Sequence, residues 1–474
     1  DMGTSSLKTV LVDEHQQVIR QSSNNYAVDQ PQPGWKEINP EKWTEAAQKG
    51  IQDVLDAAVK DKIAGIGVTG QMHTTVFLDK DGKSIRPALM WNDTRTIDLV
   101  PRLKTALGDA SDGRTIQRIV STGSPAVNLF WLKINEPENW QALQHFVIGP
   151  DYLVHWLTGT VGTDYCEAST SSLYDVERKR WSSTMADFLG LTSGQYPPVR
   201  GAAQSVGKLK AEMVETLGLS PGIPVVAGTG DNVAAALAMG GLTNGGPLLS
   251  LGTSGVLMCT RKQYDFKAKG KHILYSINGE DFGYLVQGVV QSAGSSYDWL
   301  VKKILGDTTG GSCYQQVDSN QLGKGSLLFY PHLVGDKTLY QDPALRGAFI
   351  GLSTDVTRDD MVIAVMEGIA FAVRELAEAM NLAPSVLKVT GGGTKSNLWM
   401  QILADVLDCT IEPEPAGASA VVGAAMLAEE TLNRIEKKEE TVQKQFIPKK
   451  NNKKRYARKY EKYKKIYDAL KIIN

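Results

Sequence analysis

Asp231 is the carboxylate best placed for chemistry. It follows Gly228-Thr229-Gly230 at the end of the apolar run Ile223 to Gly230 and opens the helical pattern DNVAAALAMG. A carboxylate there can take a proton from a hydroxyl, or it can cap the helix it opens. Three glycine turns offer a second kind of chemistry. Asp1-Met2-Gly3-Thr4 and Leu251-Gly252-Thr253-Ser254 follow or link apolar strands. Their N–H groups can cradle phosphate oxygens, and Thr4 and Thr253 add hydroxyl donors. Gly391-Gly392-Gly393 ends a strand before a helix, with an open backbone that a flat base can approach. Each alone is also an ordinary turn; three at strand ends point to phosphate binding.

His73 sits in VTGQMHTTV. On a strand, Gln71 and His73 would face one way, with Met72 between them. That suits the reading of hydroxyls, and a hydrogen-bonded core histidine is the alternative. Trp91-Asn92-Asp93-Thr94-Arg95 gathers an aromatic, an amide, an acid and a base after a strand, a pattern fit to face a sugar. Several lookalikes fail. Gly82-Lys83-Ser84 imitates the end of a Walker A loop, but Phe77 stands where that loop needs its first glycine. GTGDNV has Val233, and GGGTKS has Ser396, where a dinucleotide fingerprint needs its third glycine.

These turns need strands and helices to hold them. LKTVLVDEHQQVIRQSS reads as strand, turn, strand, with Leu7 to Val12 the first run. Helical periodicity follows from Pro40 to Val59, with Trp43, Ala46, Ile51, Val54 and Leu55 on one face. Ile63 to Gly70 is a strand, and a hairpin turns at Asp81-Gly82. The order predicts an α/β layer fold. Residues 95–200 are less regular and rich in Trp, Pro and Ser, as an insertion building a substrate face would be. Gly240 to Gly246 is the best linker. Beyond it, SLGTSG repeats the Gly-Thr-Ser turn of DMGTSS, which predicts two related lobes presenting their turns to a shared cleft. A long helix is expected from Arg358 to Met380, entered through Asp359-Asp360. The strand Val386 to Gly393 and the helix SNLWMQILADVL come next. ASAVVGAAMLAEE then closes the globular part with small residues suited to close packing.

Composition narrows the class. The 474 residues suggest two or three domains, and 42% apolar with 22% charged residues is ordinary for a globular chain. Apolar runs fall far short of a membrane span. Cys166, Cys259, Cys313 and Cys409 are scattered with no CxxC pair, against structural zinc and toward a reducing, cytoplasmic location. The net charge of −1 divides into +10 from residue 444 onward and −11 before it. The basic tail alternates with aromatics, as a nucleic-acid-binding tail would. However, Tyr456, Tyr460, Tyr463 and Tyr467 recur at helical spacing, which points instead to a terminal helix with a packed tyrosine stripe.

The motifs together resemble the FGGY carbohydrate kinases over essentially the whole chain. DMGTSSLK looks like the family's first phosphate motif, LSLGTSG like the second, and VTGGGTKSNLWMQILAD like its adenosine motif. GTGDN is similar to the segment holding the catalytic aspartate, and GQMH and WNDTR resemble the sugar motifs of members acting on xylulose. The resemblance implies two ribonuclease-H-like lobes, as in actin and Hsp70 ATPases, with a cleft between them. Residues 1–243 would bind sugar and carry the catalytic Asp. Residues 244–474 would bind nucleotide and end in the basic helix. It implies phosphoryl transfer from MgATP to D-xylulose, with Asp231 as base. Gln71, Met72, His73, Trp91, Asn92, Asp231 and Asn232 would contact sugar. Thr4, Gly252 and Thr253 would hold phosphates, Gly391, Gly392 and Asn397 would line the adenosine, and Asp1 would hold Mg²⁺. The expected partners are sugar and ATP, with neither nucleic acid nor membrane, and a homodimer as one option.

Three departures stand out. Thr74 replaces a glycine usual in the xylulose-type members. GDKTLYQDP, residues 335–343, replaces a GERxP-type segment, with Lys337 for Arg and Leu339 for Pro. Relatives carry a short strand before the position of Asp1, so an apolar strand of about five to eight residues, pairing with Leu7 to Val12, is expected upstream. The rival readings are a kinase for glycerol, ribulose or gluconate, a non-catalytic sugar-binding ATPase, and a nucleic-acid binder resting on the tail.

Overall fold

In chain order, the elements that position the site begin with β1 (Ser6–Val12), β2 (Val18–Asn25), α1 (Glu41–Val54), β3 (Thr69–Gly70), β4 (Thr229–Gly230) and α2 (Asp231–Ala238). They continue with β5 (Leu248–Leu251), β6 (Gly255–Arg261), β7 (Phe282–Val290), α3 (Arg358–Ala379), β8 (Val386–Thr390), α4 (Asn397–Leu407), β9 (Thr410–Pro413), α5 (Ala420–Thr431) and α6 (Lys450–Tyr463). The computed structural model describes residues 1–244, 246–307, 315, 317–414, 419–432 and 444–471. Cys313 and, within the expected linker, Gly245 lie outside the described residues. One compact unit comprises Asp1–Ala238, Ile273–Tyr284 and Ser419–Lys438; the other comprises Met239–His272, Leu285–Ala418 and Glu439–Asn474.

In the first unit, β1 and β2 pair antiparallel, from Ser6 opposite Asn25 to Val12 opposite Val18. The Asp13 carboxylate makes the turn, accepting from the backbone N–H of His15 at 3.0 Å and of Gln17 at 2.9 Å. Trp43, Ala46, Ala47 and Val54 form the buried face of α1. The helix stops at Val54, short of Val59, where Asp56 instead accepts the Ala58 N–H at 2.8 Å in an Asx-type turn. Residues 95–200 hold more helix than expected. Pro125, Pro137 and Pro150 stand in the first turns of helices they help start, where a missing N–H costs nothing. Leu129, Phe130, Trp131 and Phe146 gather there in a core of their own.

Helix α5 comes from the far end of the chain yet folds into this unit. A Cβ on Gly67 would lie 1.8 Å from the Ala424 carbonyl oxygen, and one on Gly423 would lie 2.0 Å from that of Ala234 in α2. The backbones meet where only glycine leaves room, the close packing that its small residues foreshadow.

Between β1 and residues 63–68 runs an apolar groove of about 410 Å³, lined by Leu7, Val10, Ile51, Trp156, Leu219 and Val421 among others. At its end, Asp1 and Lys8 exchange both backbone hydrogen bonds, at 2.9 Å each. Met2 is bridged antiparallel to Leu7 and parallel to Gly70. In the second unit β5 has the same two relations, antiparallel to β6 and parallel to β8.

The second unit is built on a sheet in which β7, β6, β5, β8 and β9 lie side by side in that order. Helix α3 begins with a reciprocal cap between Thr357 and Asp360 and buries every residue from Val362 to Val373. The tail forms α6. Tyr456, Tyr460 and Tyr463 are almost wholly buried against the core. Lys459 pairs with buried Glu367 at 2.5 Å, and the Tyr460 hydroxyl donates to Glu378 at 2.8 Å. Tyr467 stacks on Tyr340 of the GDKTLYQDP segment, with ring centroids 3.8 Å apart. Among the described residues, no helix is long and apolar enough to cross a membrane.

Candidate active site

The first unit assembles its site by pairing two strand ends. β3 and β4 run parallel, Thr69 opposite Thr229 and Gly70 opposite Gly230, with the Thr69 hydroxyl donating to the Thr229 carbonyl at 2.8 Å. The segments that follow, GQMH and GDN, therefore emerge side by side. Asp231 is half-buried as the first residue of α2. A Cβ on Gly230 would fall 2.6 Å from Met72 Cγ, 3.0 Å from Cys166 Sγ and 3.0 Å from Glu167 Oε1. Asn232 Nδ2 lies 3.5 Å from Met72 Sδ.

Beneath lies a set of buried acids that sequence reasoning missed. The Thr229 hydroxyl donates to Asp164 Oδ2 at 2.6 Å, and the Glu167 N–H donates to Asp164 Oδ1 at 2.9 Å. Burial pushes the Asp164 carboxyl up to about 6 against those hydrogen bonds. Asp151 is raised well above the usual carboxylate range, by burial first and by the charge of Asp164 second. Asp164 thus holds the base of the strand end that carries Asp231. Asp164 and Glu167 stand in TDYCEAS and Asp151 in GPDYL, and neither segment has a spacing that would mark it.

The strand reading of Gln71 and His73 needs correction. β3 ends at Gly70, and His73 adopts a left-handed φ of 70°. The Thr75 hydroxyl donates to the His73 carbonyl at 3.0 Å and closes the turn. The two residues therefore share a turn and not a strand face. Gln71 is buried, and neither its Oε1 nor its Nε2 finds a hydrogen-bond partner among the described residues. The same holds for Asn92 Oδ1. Buried polar atoms normally have partners, so these are the atoms a ligand hydroxyl can satisfy.

WNDTR divides into two roles. Asp93 and Arg95 face inward: Asp93 Oδ2 accepts the Lys36 N–H at 2.5 Å and the Arg95 Nη2–H at 2.8 Å. The Arg95 guanidinium lies 3.8 Å from the Trp35 ring centroid and 4.8 Å from that of Trp131, and pairs with Glu37 at 2.6 Å. This clamp leaves Trp91 43% exposed, with Asn92 half-buried beside it. Trp91 Nε1–H donates to Thr4 Oγ1 at 3.1 Å, which sets the Gly3-Thr4 turn beside WNDTR. Asp1 is half-buried at the head of that turn. Among the described residues there is no cluster of three or more metal-ligating side chains. A lone carboxylate beside a phosphate turn still fits Mg²⁺, which takes most of its oxygens from phosphate and water.

In the second unit, the Gly252-Thr253 turn closes the β5–β6 hairpin, Gly252 N–H donating to the Ser254 carbonyl at 3.0 Å. The Thr253 carbonyl accepts from the Ala293 and Ser295 N–H groups at 3.1 Å each, so the turn is braced from behind while the Thr253 side chain stays exposed. β8 runs parallel to β5, Ser250 opposite Thr390, which brings Gly391 alongside; Gly391 and Gly392 are exposed. Asn397 opens α4, its Oδ1 accepting from Lys444 Nζ at 2.9 Å. Of the six nucleotide-side candidates, Gly252, Thr253, Gly391, Gly392 and Asn397 lie in this unit and Thr4 in the first.

The chain belongs to the FGGY family of carbohydrate kinases: the family's N-terminal domain matches residues 1–238 and its C-terminal domain residues 248–429. It is a sugar kinase of the two-domain actin, Hsp70 and ribonuclease-H type, and ATP is the family's phosphoryl donor. Among curated proteins it is 32% identical to the xylulose kinase of Staphylococcus xylosus, covering 99% of each chain. It is likewise 32% identical to that of Bacillus subtilis, covering 100% of this chain and 97% of the other. Among solved structures, a xyloylose kinase from Brucella ovis superposes with a TM-score of 0.90 at 30% identity, covering 100% of this chain and 99% of the other.

Proposed function

We propose that this kinase phosphorylates D-xylulose at its terminal O5, giving D-xylulose 5-phosphate in the cytoplasm. The observation that carries the reading is the β3–β4 pairing, which places the GQMH turn beside Asp231. The full-length relatives named xylulose kinase support the substrate. Asp231 would accept the proton of the attacking hydroxyl. Gln71, Met72, His73, Trp91, Asn92 and Asn232 would orient the sugar, and Thr4, Gly252 and Thr253 would hold phosphate oxygens. Gly391, Gly392 and Asn397 would line the adenosine. Asp1 would hold Mg²⁺, which when bound neutralises charge on the phosphates. With little covalent work for the protein to do, positioning dominates the rate.

An ADP-release assay over pentuloses, polyols and aldonates tests the reading. D-xylulose should give the highest kcat/KM; a polyol or aldonate in its place would reassign the substrate. His73→Ala should weaken sugar binding more than ATP binding. Loss of a hydrogen bond to a buried hydroxyl costs about 1–3 kcal/mol, or roughly 5- to 150-fold in sugar KM. An unchanged sugar KM with a raised ATP KM would take His73 out of the sugar site.

A further inference from the structure

Trp91 is an exposed tryptophan whose two N–H groups are both engaged. Its backbone N–H donates to Thr74 Oγ1 at 3.2 Å, and Thr74 is fully buried. Its indole Nε1–H donates to Thr4 Oγ1 at 3.1 Å. The Asp93–Arg95 clamp fixes the residues that follow it. A large aromatic side chain 43% exposed would ordinarily be free to change rotamer. This one is tied at both ends.

The donor inventory gives the tie a direction. An indole N–H can only donate. The Thr4 hydroxyl must therefore accept from Trp91, and its own proton is left for another acceptor. Thr4 belongs to the turn that begins at Gly3, where Gly3 N–H closes on the Ser6 carbonyl at 2.9 Å. A phosphate oxygen meeting that turn finds a hydroxyl already set as a donor. Thr74 sets the other end. It stands directly after the GQMH turn, so its hydroxyl ties the start of WNDTR to the residues that meet the sugar.

We propose that Trp91 is a positioning residue that holds the Thr4 hydroxyl as a hydrogen-bond donor toward the transferred phosphoryl group, with Thr74 anchoring it to the sugar turn. The inference rests on the sugar-kinase reading above and adds a link from the sugar side of that site to its phosphate side. The ring face and the ring N–H then have separable jobs. The face meets sugar; the N–H acts on the phosphate turn.

A double-mutant cycle separates them. Trp91→Phe keeps an aromatic face and removes the N–H. Thr4→Val keeps the shape of the threonine and removes the hydroxyl. Trp91→Phe should lower kcat about 3- to 10-fold, the worth of one ordinary hydrogen bond, with the sugar KM within twofold of the parent. Thr4→Val should lower kcat at least as far, and the double variant should be no slower than Thr4→Val alone, because the Trp91 N–H then has nothing to orient. Thr4→Ser, which restores the hydroxyl, should recover most of the loss. Thermal melting accompanies each variant, and the cycle is read among those that melt like the parent. If Trp91→Phe does not fold, the Thr4→Val and Thr4→Ser pair decides: a Val variant as fast as the Ser variant overturns the proposal. So do losses that multiply in the double variant, or a Trp91→Phe enzyme with parental kcat. A parent chain with no ADP release on any sugar is a different failure, that of the kinase reading itself.

Discussion

Asp231→Asn is expected to lower turnover on the preferred sugar roughly 10²- to 10⁴-fold, the usual contribution of a positioned general base. The substitution is nearly isosteric. Asparagine is as good as aspartate at the start of a helix, so α2 should form as before and the melting temperature should stay close to the parent's. The amide still hydrogen-bonds to a hydroxyl, so sugar affinity, measured by calorimetry without nucleotide, should be nearly intact. What is lost is the ability to hold the proton as the phosphoryl group moves. The tight fit at Gly230, against Met72, Cys166 and Glu167, keeps the side chain of residue 231 where it was. An Asn variant with more than about a tenth of the parental rate would show that the base is another group.

Arg95→Met should produce the largest loss of stability, about 3–5 kcal/mol in urea unfolding, the usual cost of removing one partner from a buried ion pair. The Arg95 side chain is 1% exposed and its partner Asp93 is 0% exposed. Methionine fills similar volume between Trp35 and Trp131 but leaves Asp93 in the interior without its counter-charge. Glu37 suffers less, because Arg86 also pairs with it at 2.6 Å. Arg95→Lys should recover little, since an ammonium cannot make the two-pronged contact with Asp93 or stack on both rings. Replacing Asp93 as well, by Leu, should return part of the loss. A single-variant loss under about 1 kcal/mol would mean that water reaches the pair.

The parts of this site that could be read in the sequence are those written in short periods. The tyrosines of α6 recur every three or four residues, and the Gly-Thr-Ser turn occurs twice between apolar runs. Both patterns have local causes. Asp231 was legible for the same reason, standing where a strand period of two gives way to a helical one. His73 was not: a left-handed φ at a histidine has no residue-type signature, and the strand pattern of its neighbours hides the turn. WNDTR read as one sugar-facing cluster, and the inward turn of Arg95 was hidden because the rings that enclose it, Trp35 and Trp131, are far away in the chain. Asp151 and Asp164 take their altered acidity from burial, which no spacing encodes. Prolines made residues 95–200 look irregular, although they begin helices there.

The return of α5 to the first unit has a consequence for biosynthesis. Gly67 and Ala234 are packed against a helix that leaves the ribosome after most of the second unit has been made. At ~5–20 residues per second, the stretch between Ala238 and Ala420 takes roughly 10–35 s to translate. Throughout that time the nascent first unit lacks one wall of its core and shows apolar surface around residues 63–68. Its completion is post-translational in all but name. A nascent chain in this condition is a natural client for holding chaperones, and a ribosome stalled within the second unit releases a polypeptide whose first unit cannot close.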